Sequence, residues 1–342
     1  MGGSFWLGIA VISISGIFNG IFALPLKHSR EWRWENSWLL FEFFGLLILP
    51  WGLAISFVPN LWEVFARTPS HVLLIPLGFG LLLGIAQVMY GLGIVSVGIG
   101  VTIAVVSGVS CVVGALIPLI VLHSGDLFRP QGILLMVGMV ILVVGLVLYG
   151  VAGHRRDREQ LGDAAPVRQF EWGFGTGLAV CIFTGTLGSS INLGFAFSGG
   201  IIHTSLLLGG NSVTSTYAVW ALLFAASFIP NLTYCSYLLF RNHGWSLYVG
   251  SRKGTEATIC LGMALISFAG FVIYGIGAMT MGKYGTSLGW TLFVAVTIIA
   301  SSLAGHLTGE WKGTSQKTRW LLTAAVVVIL VSVAVLDLGG VV

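Results

Sequence analysis

The chain has 342 residues, of which 56% are hydrophobic and only 8% charged, and its mean hydropathy is +0.97. Soluble domains carry about a quarter charged residues, so a soluble globular enzyme is excluded. The 16 Lys and Arg barely outnumber the 12 Asp and Glu and are scattered through short loops, which excludes the basic stripe of a nucleic-acid binder.

A helix needs about 20 apolar residues to cross the hydrocarbon core. Runs of that kind are predicted, in chain order, over 4–26, 38–58, 72–92, 99–122, 132–152, 173–197, 216–240, 258–279, 289–306 and 320–338. They are continuously apolar and about twice the length of a barrel strand. The expected fold is therefore an all-α integral membrane protein with ten transmembrane helices, one membrane domain spanning 1–342 with short loops. Met1 to Ser4 carries no basic residue, so the first run is expected to be a retained helix, not a signal peptide. Cys111, Cys181, Cys235 and Cys260 all fall inside apolar runs without a C-x-x-C pair, which predicts buried reduced thiols, no metal site and no cofactor.

Lys and Arg mark the cytoplasmic loops. The odd-numbered loops hold 13 of them, including Lys27, Arg33, Arg156, Arg168, Arg252 and Lys312; the even loops and termini hold only Arg67, Arg129 and Lys283. This predicts odd loops in the cytoplasm and both termini periplasmic.

The longest polar stretch, His154 to Glu171, divides the spans five and five, and short matches relate the halves. Tyr90-Gly91-Leu92-Gly93 followed by Gly98 answers Tyr274-Gly275-Ile276-Gly277 followed by Gly282, and the Asn19 segment of the first run answers the Asn192 segment of the sixth. The predicted organisation is a first five-helix repeat (1–152), a cytoplasmic linker (153–172) and a second repeat (173–342). An odd-numbered unit must re-enter the membrane inverted, the arrangement that underlies alternating access in secondary transporters. No G-x-x-x-x-G-K-[ST] loop is present to power a pump. A gradient-coupled carrier or a facilitator remains.

Further signatures run in order along nearly the whole chain: Trp32-x-Trp34-Glu35, Leu49-Pro50-Trp51, Gly98-Ile99-Gly100, Ala218-Val219-Trp220-Ala221, Phe228-Ile229-Pro230-Asn231 and Thr308-Gly309-Glu310-Trp311-Lys312. In these the chain resembles the bacterial L-rhamnose/proton symporters of the drug/metabolite transporter superfamily. The resemblance implies uptake of L-rhamnose, or a related 6-deoxy sugar, with a proton across the inner membrane, in a ten-helix protein with periplasmic termini. Partners would be the sugar, the proton and the bilayer, with no nucleic acid; the oligomeric state is open, since Gly16-x-x-x-Gly20 and Gly80-x-x-x-Gly84 allow close contact between molecules or within one.

A neutral sugar needs buried amides and hydroxyls for its hydroxyls and aromatic rings for its apolar faces. The candidate substrate-binding residues are Asn19, Gln87, Tyr90, Asn192, Asn231, Tyr274 and Trp290. Each has a second reading: the asparagines can bond a neighbouring helix, Tyr90 can be an interfacial anchor, and Asn231 can repair the backbone freed by Pro230. Trp290 enters because the superfamily lines its cavity with the first, third and fourth helices of each half, an argument extended to Thr102, Ser107 and Thr291. Small hydroxyls can also bond their own helix carbonyls. For proton coupling the candidate is Glu42, the one carboxylate clearly inside a predicted run; its other reading is a side chain that snorkels to a nearby edge. Glu256 and His306 are secondary candidates.

An enzyme is the contrasting class. Gly285-Thr286-Ser287-Leu288-Gly289 matches G-x-S-x-G, but between two helices instead of a strand and a helix, so no enzymatic activity is expected. The closer alternatives are a drug/metabolite exporter or an uncoupled facilitator. The first predicted helix has no acid to serve as counter-charge for a lipophilic cation.

Overall fold

A computed structural model of the chain describes residues 2–97, 99–161 and 174–341, and among them it is all helix, without a strand. The helices are α1 Gly2–Ile21, α2 Trp34–Glu42, α3 Leu49–Phe57, α4 Leu61–Arg67, α5 Ser70–Val97, α6 Ile99–Leu122, α7 Pro130–Leu161, α8 Phe174–Gly188, α9 Ser190–Phe197, α10 Gly199–Leu207, α11 Thr214–Arg241, α12 Lys253–Met281, α13 Gly285–Leu307 and α14 Gln316–Val341. Among the described residues, nine helical segments are long and apolar enough to cross a membrane. The longest, Lys253–Leu307, has 55 residues and comprises α12 and α13. Gly282 divides it with φ +74, a backbone setting that glycine adopts without a side-chain clash. Gly98 and Arg168, and residues 162–172 of the predicted linker, lie outside the described residues.

Several boundaries differ from the sequence expectation. The second run starts at Trp34 instead of residue 38, and a π-helical stretch, Phe43–Ile48, joins α2 to α3. The sixth run continues to Leu207 but is broken at Ser189 and Ser198. There Ser189 Oγ donates to the Thr186 carbonyl (2.7 Å) and Ser198 Oγ to the Gly194 carbonyl (2.5 Å), and such local bonds compete with the helix ladder. The seventh α-helix carries the first part of the predicted linker, 153–161, as its own continuation.

The helices pack in a pattern that pairs the two halves. Helix α1 packs on α12 and α13, while α8 and α9 pack on α5 and α6; α11 packs on α5 and α2 on α12; α7 lies against α14 and α6 against α13. Both glycine motifs serve contacts within the molecule. Gly16 and Gly20 face Val296 and Ala300 of α13, and Gly80 and Gly84 face Leu223, Ser227 and Pro230 of α11.

The loops sort to two faces. On one, Lys27 Nζ reaches Thr308 Oγ1 (2.6 Å) and Glu310 Oε1 (2.5 Å), Arg156 also pairs with Glu310 (3.5 Å), and Arg33 donates to the Asn242 carbonyl (2.5 Å). These are odd-numbered loops, the basic set. On the other face Asp126 pairs with Lys283 and with Arg129 (2.9 Å), and Asn60 Nδ2 donates to the Leu208 carbonyl (3.3 Å). The Lys283 ammonium beside Asp126 holds its carboxyl below the usual carboxylate range.

Candidate functional site

Glu42 ends α2 and is fully buried. It lies eight residues inside the helix start, about 12 Å along the axis, and no part of it reaches the surface as a snorkelling side chain would. Its Oε1 accepts from Gln87 Nε2 (3.3 Å), and its Oε2 is buried with no hydrogen-bond partner among the described residues. A buried carboxyl with one neutral partner is an expensive feature, and π-helical stretches such as the one that follows it are frequent at functional sites.

Gln87 is positioned by close approach of two helices. A side chain at Gly84 would meet the Ser227 carbonyl and the Pro230 ring, so glycine lets α5 lie directly against α11. From there the Gln87 Oε1 accepts from Ser227 Oγ (2.9 Å) and Asn231 Nδ2 (2.7 Å). Asn231 Nδ2 also donates to the Ser227 carbonyl (3.1 Å), one turn back along the helix that Pro230 interrupts. Thus Glu42, Gln87 and Asn231, three candidates from three helices, form one hydrogen-bonded cluster in which Glu42 and Asn231 are buried and Gln87 is half-buried. Ser227 belongs to it and sequence reasoning missed it; its one signal was the i, i+4 spacing to Asn231, which puts both on one helix face.

Two cavities flank Gln87. One, of about 140 Å³, is lined by Glu42, Gln87 and Ser267 and otherwise by apolar side chains including Phe41, Phe224 and Phe271. The other, of about 190 Å³, is lined by Trp38, Gln87, Tyr90 and Thr184 among apolar groups. Gln87 and Leu83 line both. Gly188 borders the second cavity and Ile191 the first, so the break at Ser189 lies between them. A larger groove between α3 and α12 is lined almost wholly by apolar side chains such as Leu49, Leu53 and Leu265; it lacks the polar groups a sugar requires.

Asn192, Tyr274 and Trp290 form a separate cluster. Asn192 Nδ2 donates to the carbonyls of Gly114 (2.8 Å) and Thr286 (2.9 Å), and its Oδ1 accepts from the Tyr274 hydroxyl (2.5 Å). Trp290 Nε1 donates to the Ser110 carbonyl (3.0 Å), and its ring meets Tyr274 edge-on at 5.8 Å. All of these donors are spent on protein groups, tying α9 and α13 to α6. Asn192→Ala is accordingly expected to leave buried partners unmatched and cost about 2–3 kcal/mol, read as a lowered melting midpoint in detergent.

Asn19 is half-buried beside Gly270 of α12, and its Nδ2 has no partner among the described residues. It lines neither cavity. Thr291 Oγ1 donates to its own helix at Ser287 (3.0 Å), Cys181 Sγ lies 3.7 Å from Thr102 Oγ1, and Ser107 is half-buried on α6. Glu256 is buried and engaged: it accepts from Ser29 Oγ (2.6 Å) and the amides of Arg30 (2.9 Å) and Glu31 (3.0 Å). His306 is exposed at the end of α13. Trp34 and Glu35 lie in the first turn of α2 instead of a loop, where Glu35 accepts from Asn242 Nδ2 (2.8 Å) and Trp32 Nε1 donates to the Leu247 carbonyl (3.1 Å). Ser287 lies in the first turn of α13, buried. Among the described residues no His, Cys, Asp and Glu cluster is arranged to hold a metal.

Comparison with known proteins matches residues 1–342 to the family described as L-rhamnose-proton symport protein. The chain is 25% identical to the L-rhamnose-proton symporter of Pectobacterium atrosepticum, over 98% of this chain and 97% of that one. It is 25% identical to that of Mannheimia succiniciproducens, over 99% of each, and 23% identical to that of Yersinia pestis, over 97% of each.

Proposed function

The chain belongs to the L-rhamnose-proton symport protein family, and from that premise we propose that it carries L-rhamnose, or a related 6-deoxy sugar, inward across the bacterial inner membrane together with a proton. It is a transporter and not an enzyme, and Ser287 has no part in a hydrolytic site. The observation that carries the reading is the sealed Glu42 carboxyl, bonded to Gln87 at the wall between two cavities.

In this reading Glu42 takes the proton, and Gln87, whose oxygen is already paired, offers the sugar the second N–H of its amide. Trp38 and Tyr90 offer ring faces to the apolar side of the sugar, and Thr184, whose hydroxyl hydrogen is spent on the Val180 carbonyl, offers only an acceptor oxygen. Asn192, Tyr274 and Trp290 hold the two halves together, since their polar atoms are already paired. Taking α12 and α13 separately gives ten spans, a count supported by each being long enough to cross. The exchange-symmetric packing, in which α1 on α12 and α13 answers α8 and α9 on α5 and α6, supports two inverted five-helix repeats, 1–152 and 173–342 about a linker at 153–172. Alternating access is then a rocking of the repeats about the fixed site. Clustering of the basic loops on one face supports a cytoplasmic assignment for that face and periplasmic termini.

The test is uptake of labelled L-rhamnose into proteoliposomes under imposed pH gradients, with and without protonophore and with competing sugars. Concentrative uptake that the protonophore abolishes is expected. Uptake that only equilibrates overturns proton coupling, and no uptake by folded protein overturns the substrate.

A further inference from the structure

We propose that Ser227 and Asn231 are positioning residues for coupling: they lock the Gln87 amide so that a proton arriving on Glu42 finds its hydrogen-bond acceptor on the bound sugar and not on the protein. The inference rests on the reading that Glu42 carries the proton and that the Gln87 cavities hold the sugar.

An amide oxygen has two lone pairs. Those of Gln87 Oε1 are both engaged, by Ser227 Oγ at 2.9 Å and Asn231 Nδ2 at 2.7 Å. Asn231 Nδ2 is itself fixed by its second bond, to the Ser227 carbonyl at 3.1 Å. Turning the Gln87 amide over would set donor against donor at Asn231 and leave a buried group unmatched. The NH₂ end of Gln87 is therefore held toward Glu42, and Glu42 Oε1 is held as an acceptor. A proton is then taken on Oε2, the oxygen that is buried without a partner. It comes from water on the entry side, forms one O–H bond there, and returns to water on the exit side when that bond breaks. While it is bound, its O–H needs an acceptor, and with Gln87 Oε1 saturated, a sugar hydroxyl oxygen in the cavity supplies one. Proton and sugar then strengthen each other's binding, reciprocally by linkage.

Removing the Ser227 hydroxyl frees one lone pair of Gln87 Oε1 and leaves the Asn231 bond as the one restraint on that oxygen. The amide can then swing until the freed lone pair competes with the sugar for the Glu42 proton, and the proton favours the sugar less. Other titratable groups on the surrounding elements are already committed or remote from this exchange. Cys235 of α11 is buried and lines neither cavity, and Cys260 of α12 donates to the Ser37 carbonyl (3.3 Å). On α2 Glu35 is bonded to Asn242, Glu256 of α12 holds residues 29–31, and Tyr90 of α5 lines only the second cavity.

The test measures half-saturating L-rhamnose for counterflow in proteoliposomes, with pH 6 on both sides and then pH 8, for the wild type, Ser227→Ala, Ser227→Thr and Glu42→Gln. In the wild type the half-saturating concentration is expected to rise from pH 6 to pH 8. Ser227→Ala is expected to shrink that ratio by about 3- to 10-fold, the worth of one hydrogen bond, and Ser227→Thr, which keeps the hydroxyl, to restore it. Should the alanine variant fail to reconstitute, Ser227→Cys, a weak donor, supplies the same comparison. A wild-type ratio in the Ala or Cys variant, or an equal loss of affinity at both pH values, overturns the positioning role. If Glu42→Gln also keeps the wild-type ratio, the proton-site reading fails and takes this one with it; if Glu42→Gln flattens the ratio and Ser227→Ala does not, only the positioning role fails.

Discussion

Glu42→Gln is expected to convert accumulation into equilibration. One pH unit of gradient is worth about 1.4 kcal/mol per proton, or tenfold in concentration, so a carrier moving one proton per sugar concentrates it about tenfold per unit. Glutamine is nearly isosteric with glutamic acid and neutral, so the cavity keeps its shape and a donor where the protonated acid would place one, but no proton can be released. The accumulation ratio should fall from about tenfold per pH unit to one, while counterflow, reduced but measurable, loses its pH dependence. The check is labelled sugar inside proteoliposomes at steady state under an imposed gradient. A variant that still accumulates sugar would remove Glu42 from the mechanism. Neither secondary candidate would replace it easily: Glu256 spends its carboxylate on three loop donors, and His306 is exposed.

The helices were legible because length and apolarity alone decide what can cross a bilayer. Their ends were less so: Trp34 and Glu35 read as loop because polar and aromatic residues crowd there, yet Glu35 is buried by bonding Asn242 across the molecule. Glu42, Gln87 and Asn231 stood out because intramembrane polarity is costly wherever it occurs. Their meeting did not, because one sequence gives the spacing along a helix but not the rotation of one helix against another. The same gap concealed the separate placement of Asn192 and Tyr274, which bond each other at 2.5 Å. Ser227 stayed hidden for a chemical reason. Most helical hydroxyls bond their own backbone, as Thr184 and Thr233 do, so a serine that instead reaches across to α5 looks no different in sequence.

Gly84→Ala is expected to disable transport although Gly84 offers no polar atom to either substrate. An added methyl group would stand 2.9 Å from the Pro230 ring and closer still to the Ser227 carbonyl. Backbone cannot yield as a flexible side chain does, so α5 must move off α11, at a cost of about 1–3 kcal/mol. The Gln87 bonds to Ser227 and Asn231, made one turn further along α5, lengthen with it. Losing that pair of bonds at about 1 kcal/mol each lowers counterflow on the order of tenfold or more, and proton-driven accumulation falls with it. Gly78→Ala, on the same helix, meets nothing within 4 Å and is expected to transport like the wild type. Counterflow and accumulation measured on both variants separate the two cases. Equal activity would mean that α5 and α11 need not touch at Gly84 for Gln87 to act, whereas a loss confined to Gly84 ties transport to the approach of α5 to α11.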